Sequence, residues 1–310
     1  MASTQWQSDV EQLRRDNRSG AEEITFRALN LLVETITETI PEDRKDYRGW
    51  LVQIGHNVIG AQPSMGVLFR LVNDMLWAQD EKTGGEEIRQ SALRFLQQYR
   101  EREAKAMQEV VEHAAPLLGD YSAIMTYSRS STVLRVLTGV RERGYRTRVF
   151  CSEGRPMLEG QTLANELADV GLQVTFGVDM ALFEWMGEVG ALVLGADTLA
   201  AGGLVNKVGT AELVRAARRC DIPRIVLCTT RKLLPSDYLT SLRFREGPPE
   251  EIMPASGETV SIRNQYFDLT PIEQLSMVIT EEGVMDRSDL MTAFERISTY
   301  PGLRGGAGAT

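Results

Sequence analysis

From Tyr121 onward the sequence alternates short apolar runs with stretches of helical periodicity, and this leaves few folds open. The apolar runs are Ala123–Thr126, Arg148–Cys151, Gln173–Phe176, Ala191–Leu194 and Arg224–Cys228. Between them, helical spacing covers Thr132–Arg143, Gln161–Val170, Met180–Met186 and Ala211–Arg219. A strand that is apolar at nearly every position has no face to give to water. It must be covered on both sides, which predicts an α/β domain with a mainly parallel sheet. No G-x-G-x-x-G follows the first strand, so a dinucleotide fingerprint is absent and no cofactor is expected.

Residues 1–117 read differently. Ile24 to Ile36, Tyr47 to Ile59, Val67 to Trp77 and Glu86 to Ala115 carry apolar residues at helical intervals, with Pro41, Pro63 and Pro116 as punctuation. The expected organisation is an all-α region over 1–117 followed by a Rossmann-like domain over 118–310. Late in the chain, Thr270-Pro271-Ile272-Glu273 has capping-box spacing with Pro at the first helical position, which predicts a helix start.

The net charge of -9 argues against direct nucleic-acid binding, which needs clustered Lys and Arg. Cys151, Cys220 and Cys228 have no C-x-x-C spacing, and the two histidines, His56 and His113, lie far apart, so no metal site is expected. Both histidines are read as structural. The start lacks a basic-then-apolar export pattern and no run is long enough for a bilayer, so a cytoplasmic protein without membrane contact is expected.

In a parallel sheet, ligands collect beyond the carboxyl ends of the strands, beside helix N-termini. Each strand end here carries polar groups. The first gives Ser128, Arg129 and Ser130 ahead of a helix, a set that suits an oxyanion, with ordinary capping as the plainer use of one hydroxyl. The second gives Glu153 and Arg155, either an anion clamp or an internal ion pair. The third leads to Asp179, again with a helix cap as the alternative. The fourth ends in Gly195-Ala196-Asp197, followed by Gly202-Gly203 and the pair Asn206-Lys207. Convergence of such groups reads as a small-anion pocket.

The phrases T-Y-S-R-S-S-T-V-L-R-V-L, E-G-R-P-M-L-E-G, G-A-D-T-L…G-G-L-V-N-K-V-G-T and R-N-Q-Y-F-D-L-T-P…V-I-T-E-E-G-V together resemble the superfamily of translation initiation factor 2B regulatory subunits. That superfamily also holds aldose-1-phosphate isomerases acting on methylthioribose 1-phosphate and ribose 1,5-bisphosphate. Arg18-Ser19-Gly20-Ala21 and Gln62-Pro63-Ser64 resemble its N-terminal R-x-G and R-P-T segments. The resemblance implies a homodimer or higher homo-oligomer formed through the Rossmann-like domain, with other initiation-factor subunits as further partners. It also implies a catalytic pair in the isomerases, the aspartate of G-A-D and a cysteine in T-H-C-N. Asp197 keeps the first, whereas the cysteine position is Ser128 and the R-P-T arginine is Gln62. A thiol with a reference pKa of about 8.5 exchanges protons near neutrality, and a serine hydroxyl needs a base beside it. No histidine is local to Ser128, so the leading expectation from the resemblance is a protein that binds a phosphorylated sugar or a nucleoside monophosphate and does not isomerise it. An isomerase using Asp197 as acid and base, with Cys151 as a neighbouring thiol, is the alternative. A protein-interaction scaffold with a vestigial pocket is the third.

Overall fold

The computed structural model describes residues 2–16, 19–43, 46–235, 244, 246–254 and 259–304. Five helices come first, α1 (Ala2–Arg15), α2 (Ala21–Glu38), α3 (Tyr47–Ala61), α4 (Gly66–Ala78) and the long α5 (Gly85–Gly119). The chain then alternates through β1 (Ala123–Met125), α6 (Ser131–Glu142), β2 (Arg148–Ser152), α7 (Glu159–Asp169), β3 (Gln173–Gly177) and α8 (Ala181–Glu184). Next come β4 (Ala191–Leu194), β5 (Thr198–Ala200), β6 (Gly203–Lys207), α9 (Thr210–Arg219) and β7 (Arg224–Leu227). The last elements are β8 (Phe267–Thr270), β9 (Met277–Thr280), β10 (Gly283–Met285) and α10 (Arg287–Glu295).

The main sheet has the order β10-β9-β7-β4-β1-β2-β3, parallel throughout except for the β10–β9 pair. β1 and β4 are buried along their whole length, as their continuous apolar sequences require. Alternate residues feed two cores. Ile124, Ala191 and Val193 pack with Val110 and Ala114 of α5 and Val133 and Val136 of α6, while Met125, Leu192 and Leu194 pack with Leu213 and Phe294 on the other face. The helices α1 to α4 and the first half of α5 enclose a third core, to which Ala200, Leu234, Tyr300 and Leu303 return. α5 therefore serves two cores, one at each end.

Two departures from the sequence reading matter for the site. Ala201-Gly202 is the turn of an antiparallel hairpin, β5–β6, in which Gly203 opens β6, and β8 pairs with β6 to make a separate three-stranded sheet. Asn206 and Lys207 thus sit in a strand, opposite Asp268 and Phe267. Thr270 likewise closes β8 by pairing with Leu204, and only one 3-10 turn, Ile272–Gln274, follows it in place of the expected helix. The ladder takes the backbone that the capping box would have used.

The hairpin also locks the helical layer to the sheet. The Thr198 hydroxyl accepts from the Gly66 N–H at 2.7 Å and donates to the Ser64 carbonyl at 3.0 Å, both buried. Arg135 on α6 reaches Glu22 on α2 at 2.6 Å, and Arg70 donates to the Leu233 carbonyl at 3.2 Å. Among the described residues no helix is long and apolar enough to cross a membrane.

Candidate functional site

The chain runs outward from β1 through β2 to β3, then crosses back to place β4 on the other side of β1. At such a reversal the loops leaving the two central strands part and open a crevice. Here they are the loops carrying Ser128–Ser130 and Ala196-Asp197. A cavity of about 590 Å³ occupies that place, roofed by α2 and α5. Ser128, Arg129, Ser130, Asp197, Asn206 and Lys207 all line it.

At one wall, α6 begins. The Ser130 hydroxyl accepts from the Val133 N–H at 3.3 Å, so this residue is the helix cap. The Ser131 and Thr132 amides have no carbonyl one turn back, and both residues face the cavity. Arg129 forms a two-pronged pair with Glu166 of α7, at 2.7 and 2.9 Å. Gly195 is required where β4 passes this turn, because an added Cβ would occupy the Ser130 side chain.

Three cavity residues form a connected set. Ser128, whose φ of 63° lies in the left-handed region, donates its hydroxyl proton to Glu159 Oε1 at 2.6 Å. The same oxygen holds Lys207 Nζ at 2.8 Å. Glu159 opens α7, and its neighbour Gly160 lies so close to the Ser152 carbonyl that no side chain fits there. Glu159 escaped the sequence-based choice of site residues because it sits 31 positions from Ser128. The signal was present, since Glu159 is the second glutamate of E-G-R-P-M-L-E-G.

Asp197 stands beside this set. Among the described residues, no group hydrogen-bonds to its carboxylate. Burial pushes that carboxyl above the usual carboxylate range, Lys232 and Lys207 pull it back down, and Glu159 adds to the rise. Lys232, also on the cavity wall, has no ion-pair partner among the described residues. On the same wall, Glu103 pairs with Arg231 at 2.6 Å and accepts from Thr229 at 3.0 Å. Arg231 in turn lies over the Tyr99 ring, 4.3 Å from its centre. Asn206 donates to Thr210 at 3.2 Å, and Asp268 accepts from Gly209 and Ala211, fixing the start of α9 behind the β6 end.

Glu153 and Arg155 are not on the cavity wall. Asp179 explains why, for its carboxylate accepts from the Ser152 hydroxyl and the Gly154 and Arg155 amides, each at 2.8 Å. These bonds turn the loop outward, and the Arg155 guanidinium reaches the Ile252 carbonyl at 3.1 Å. Cys151 is buried inside β2 outside the cavity, and burial pushes its thiol up to about 12. Gln62 lines the cavity, but its amide donates to the Leu13 and Asp16 carbonyls at 2.8 and 2.7 Å, tying down the end of α1. His56 and His113 contact the Gly302 and Thr280 carbonyls, away from the cavity. Arg18 of the R-x-G segment lies outside the described residues.

The model of the initiation factor 2 subunit family matches residues 17–287. The chain belongs to that family. Within it, ribose 1,5-bisphosphate isomerase of Archaeoglobus fulgidus is 31% identical over 235 residues, 74% of each chain. The protein of the same name from Methanocaldococcus jannaschii is 28% identical over 279 residues, 89% of each. Among solved structures, the translation initiation factor eIF-2B of Pyrococcus horikoshii superposes with a TM-score of 0.79 at 25% identity, over 91% of this chain and 96% of that one. Members of the family thus carry both an isomerase name and an initiation-factor name.

Proposed function

We propose that this member of the initiation factor 2 subunit family binds a phosphorylated sugar in the cavity between β1 and β4 and does not isomerise it. The observation that carries this reading is the arrival of Ser128, Ser130, Asp197, Asn206 and Lys207 in one cavity from three separate strand ends. Phosphate is seated on the Ser131 and Thr132 amides at the start of α6, where the helix dipole favours an anion. Asp197 accepts from the sugar hydroxyls. The proton-exchanging thiol is missing, since Ser128 stands in its place and Cys151 is walled off inside β2. The protein acts as a homodimer joined through the sheet-bearing part that begins near residue 118, with other initiation-factor subunits as further partners. Thermal shift against a panel of sugar phosphates and nucleoside monophosphates tests the reading. A shift with at least one sugar phosphate is expected, and a flat panel would leave the scaffold reading in its place.

A second reading rests on one observation. Asp197, with its raised carboxyl, and Glu159, which accepts the Ser128 proton, make an acid and a base on one cavity. In that reading Asp197 opens the ring of an aldose 1-phosphate and Ser128, with Glu159 behind it, carries the proton between carbons. Turnover of ribose 1,5-bisphosphate or methylthioribose 1-phosphate that disappears in Asp197→Asn would establish it.

A further inference from the structure

Lys207 is the most buried cation on the cavity wall, and a lysine at a strand end beside a helix start is ordinarily counted as a phosphate ligand. The structure gives it another occupation. Glu159 Oε1 holds the Lys207 ammonium at 2.8 Å and the Ser128 hydroxyl at 2.6 Å, so one carboxylate takes up both groups that an entering anion would seek. The contact is built in from both sides. Ser128 and Leu158 are both non-glycine residues with left-handed backbones, at φ of 63° and 61°, and Gly160 is pressed against the Ser152 carbonyl. Such backbone holds only where the surroundings over-determine it. The other Glu159 oxygen, Oε2, is enclosed and has no hydrogen-bond donor among the described residues. Asp197 lies near enough for Glu159 to raise its carboxyl further.

We infer that Glu159 is a specificity-determining residue that acts as a built-in anion. It neutralises Lys207 and makes this part of the wall a place for hydroxyls, so that the cavity takes sugars carrying one phosphate and discriminates against bisphosphates. The inference rests on the sugar-phosphate reading above and adds which sugar phosphates are admitted. A second phosphate would meet the Glu159 and Asp197 carboxyls with Lys207 already paired, leaving Lys232 as the one wall lysine among the described residues to offset two carboxyls, and like charges in a low-dielectric cavity repel strongly.

The test is a titration of ribose 5-phosphate and ribose 1,5-bisphosphate into wild type, Glu159→Gln and the double variant Glu159→Gln/Lys207→Met. Wild type is expected to favour the monophosphate. Glu159→Gln keeps the acceptor for Ser128 and removes the charge, and it should move the affinity ratio toward the bisphosphate by about tenfold or more. Adding Lys207→Met should cancel that gain, because the gain comes from the released ammonium. A ratio unchanged in Glu159→Gln, or a gain that survives Lys207→Met, overturns the inference while leaving the binding site intact. Wild type that binds neither sugar overturns the site along with it. Should Glu159→Gln fail to fold by circular dichroism, Glu159→Ala carries the same expectation for the ratio.

Discussion

Asp179 and Asp197 look alike in the sequence, each a carboxylate delivered just past a parallel strand, yet the structure treats them in opposite ways. Asp179 accepts three hydrogen bonds from the loop after β2 and pins it away from the cavity. Asp197 accepts none from any described residue, faces the cavity, and has its carboxyl raised by burial. A strand-end carboxylate that serves the fold has its lone pairs taken by the protein. One that serves a ligand keeps them open, at a cost in stability.

The largest expected effect separates the two on binding. Asp197→Asn should weaken the affinity for the bound sugar phosphate by about 10- to 100-fold, the range for losing hydrogen bonds to a charged acceptor. Asp179→Asn should stay within about threefold in the same titration, since the Asp179 bonds lie outside the cavity. Equal losses would erase the distinction.

Stability should rank them in reverse. Asp179→Ala strands two backbone amides and a hydroxyl and is expected to cost about 2–4 kcal/mol in denaturant melts. Asp197→Asn should be neutral or stabilising at pH 7, because it removes a charge that the fold buries without a hydrogen bond. A loss as large as that of Asp179→Ala would show that Asp197 is a structural residue.

The pH dependence sharpens this further. A carboxyl whose folded pKa lies above its unfolded value of about 3.8 stabilises the fold below that value, and the stabilisation is lost as pH rises through the folded pKa. Wild type should therefore lose stability as pH climbs out of the ordinary carboxylate range, and Asp197→Asn should flatten part of that slope. Only part is expected to go, because burial also raises Asp268 and Glu103. An unchanged slope would remove Asp197 from the account of the pH response.

The smallest effect belongs to the loop that Asp179 holds. Arg155→Ala should change sugar-phosphate affinity less than about twofold, since among the described residues its guanidinium contacts only the carbonyls of Glu251 and Ile252. A larger loss by titration would return Arg155 to the site.

Much of the fold was legible because a parallel strand buried on both faces announces itself as an unbroken apolar run. Ala191–Leu194 has the same ends in sequence and structure, and the other four parallel strands read from the sequence, the half-exposed edge strand β3 among them, differ by a residue at one end. The β5–β6 hairpin was hidden because its strands are short and its glycine pair reads as a loop. Thr270-Pro271-Ile272-Glu273 misled because local capping chemistry cannot see that Thr270 has a ladder partner in Leu204. In the site, strand ends could be located from sequence, but the direction each loop takes could not. Asp179 decides that direction for Glu153 and Arg155 from a different strand. Glu159 was overlooked for the same reason, since only the packing of Gly160 against β2 carries it to Ser128.

In the proposed function, this cavity holds a phosphorylated aldose without converting it. Phosphorus and carbon NMR of ribose 1-phosphate and of ribose 1,5-bisphosphate incubated with the wild-type protein tests it most directly. Broadened ligand resonances are expected, strongest for the monophosphate, with the aldose signals otherwise unchanged over hours. The appearance of ketose phosphate resonances, or sharp and unperturbed ligand signals for both sugars, would contradict it.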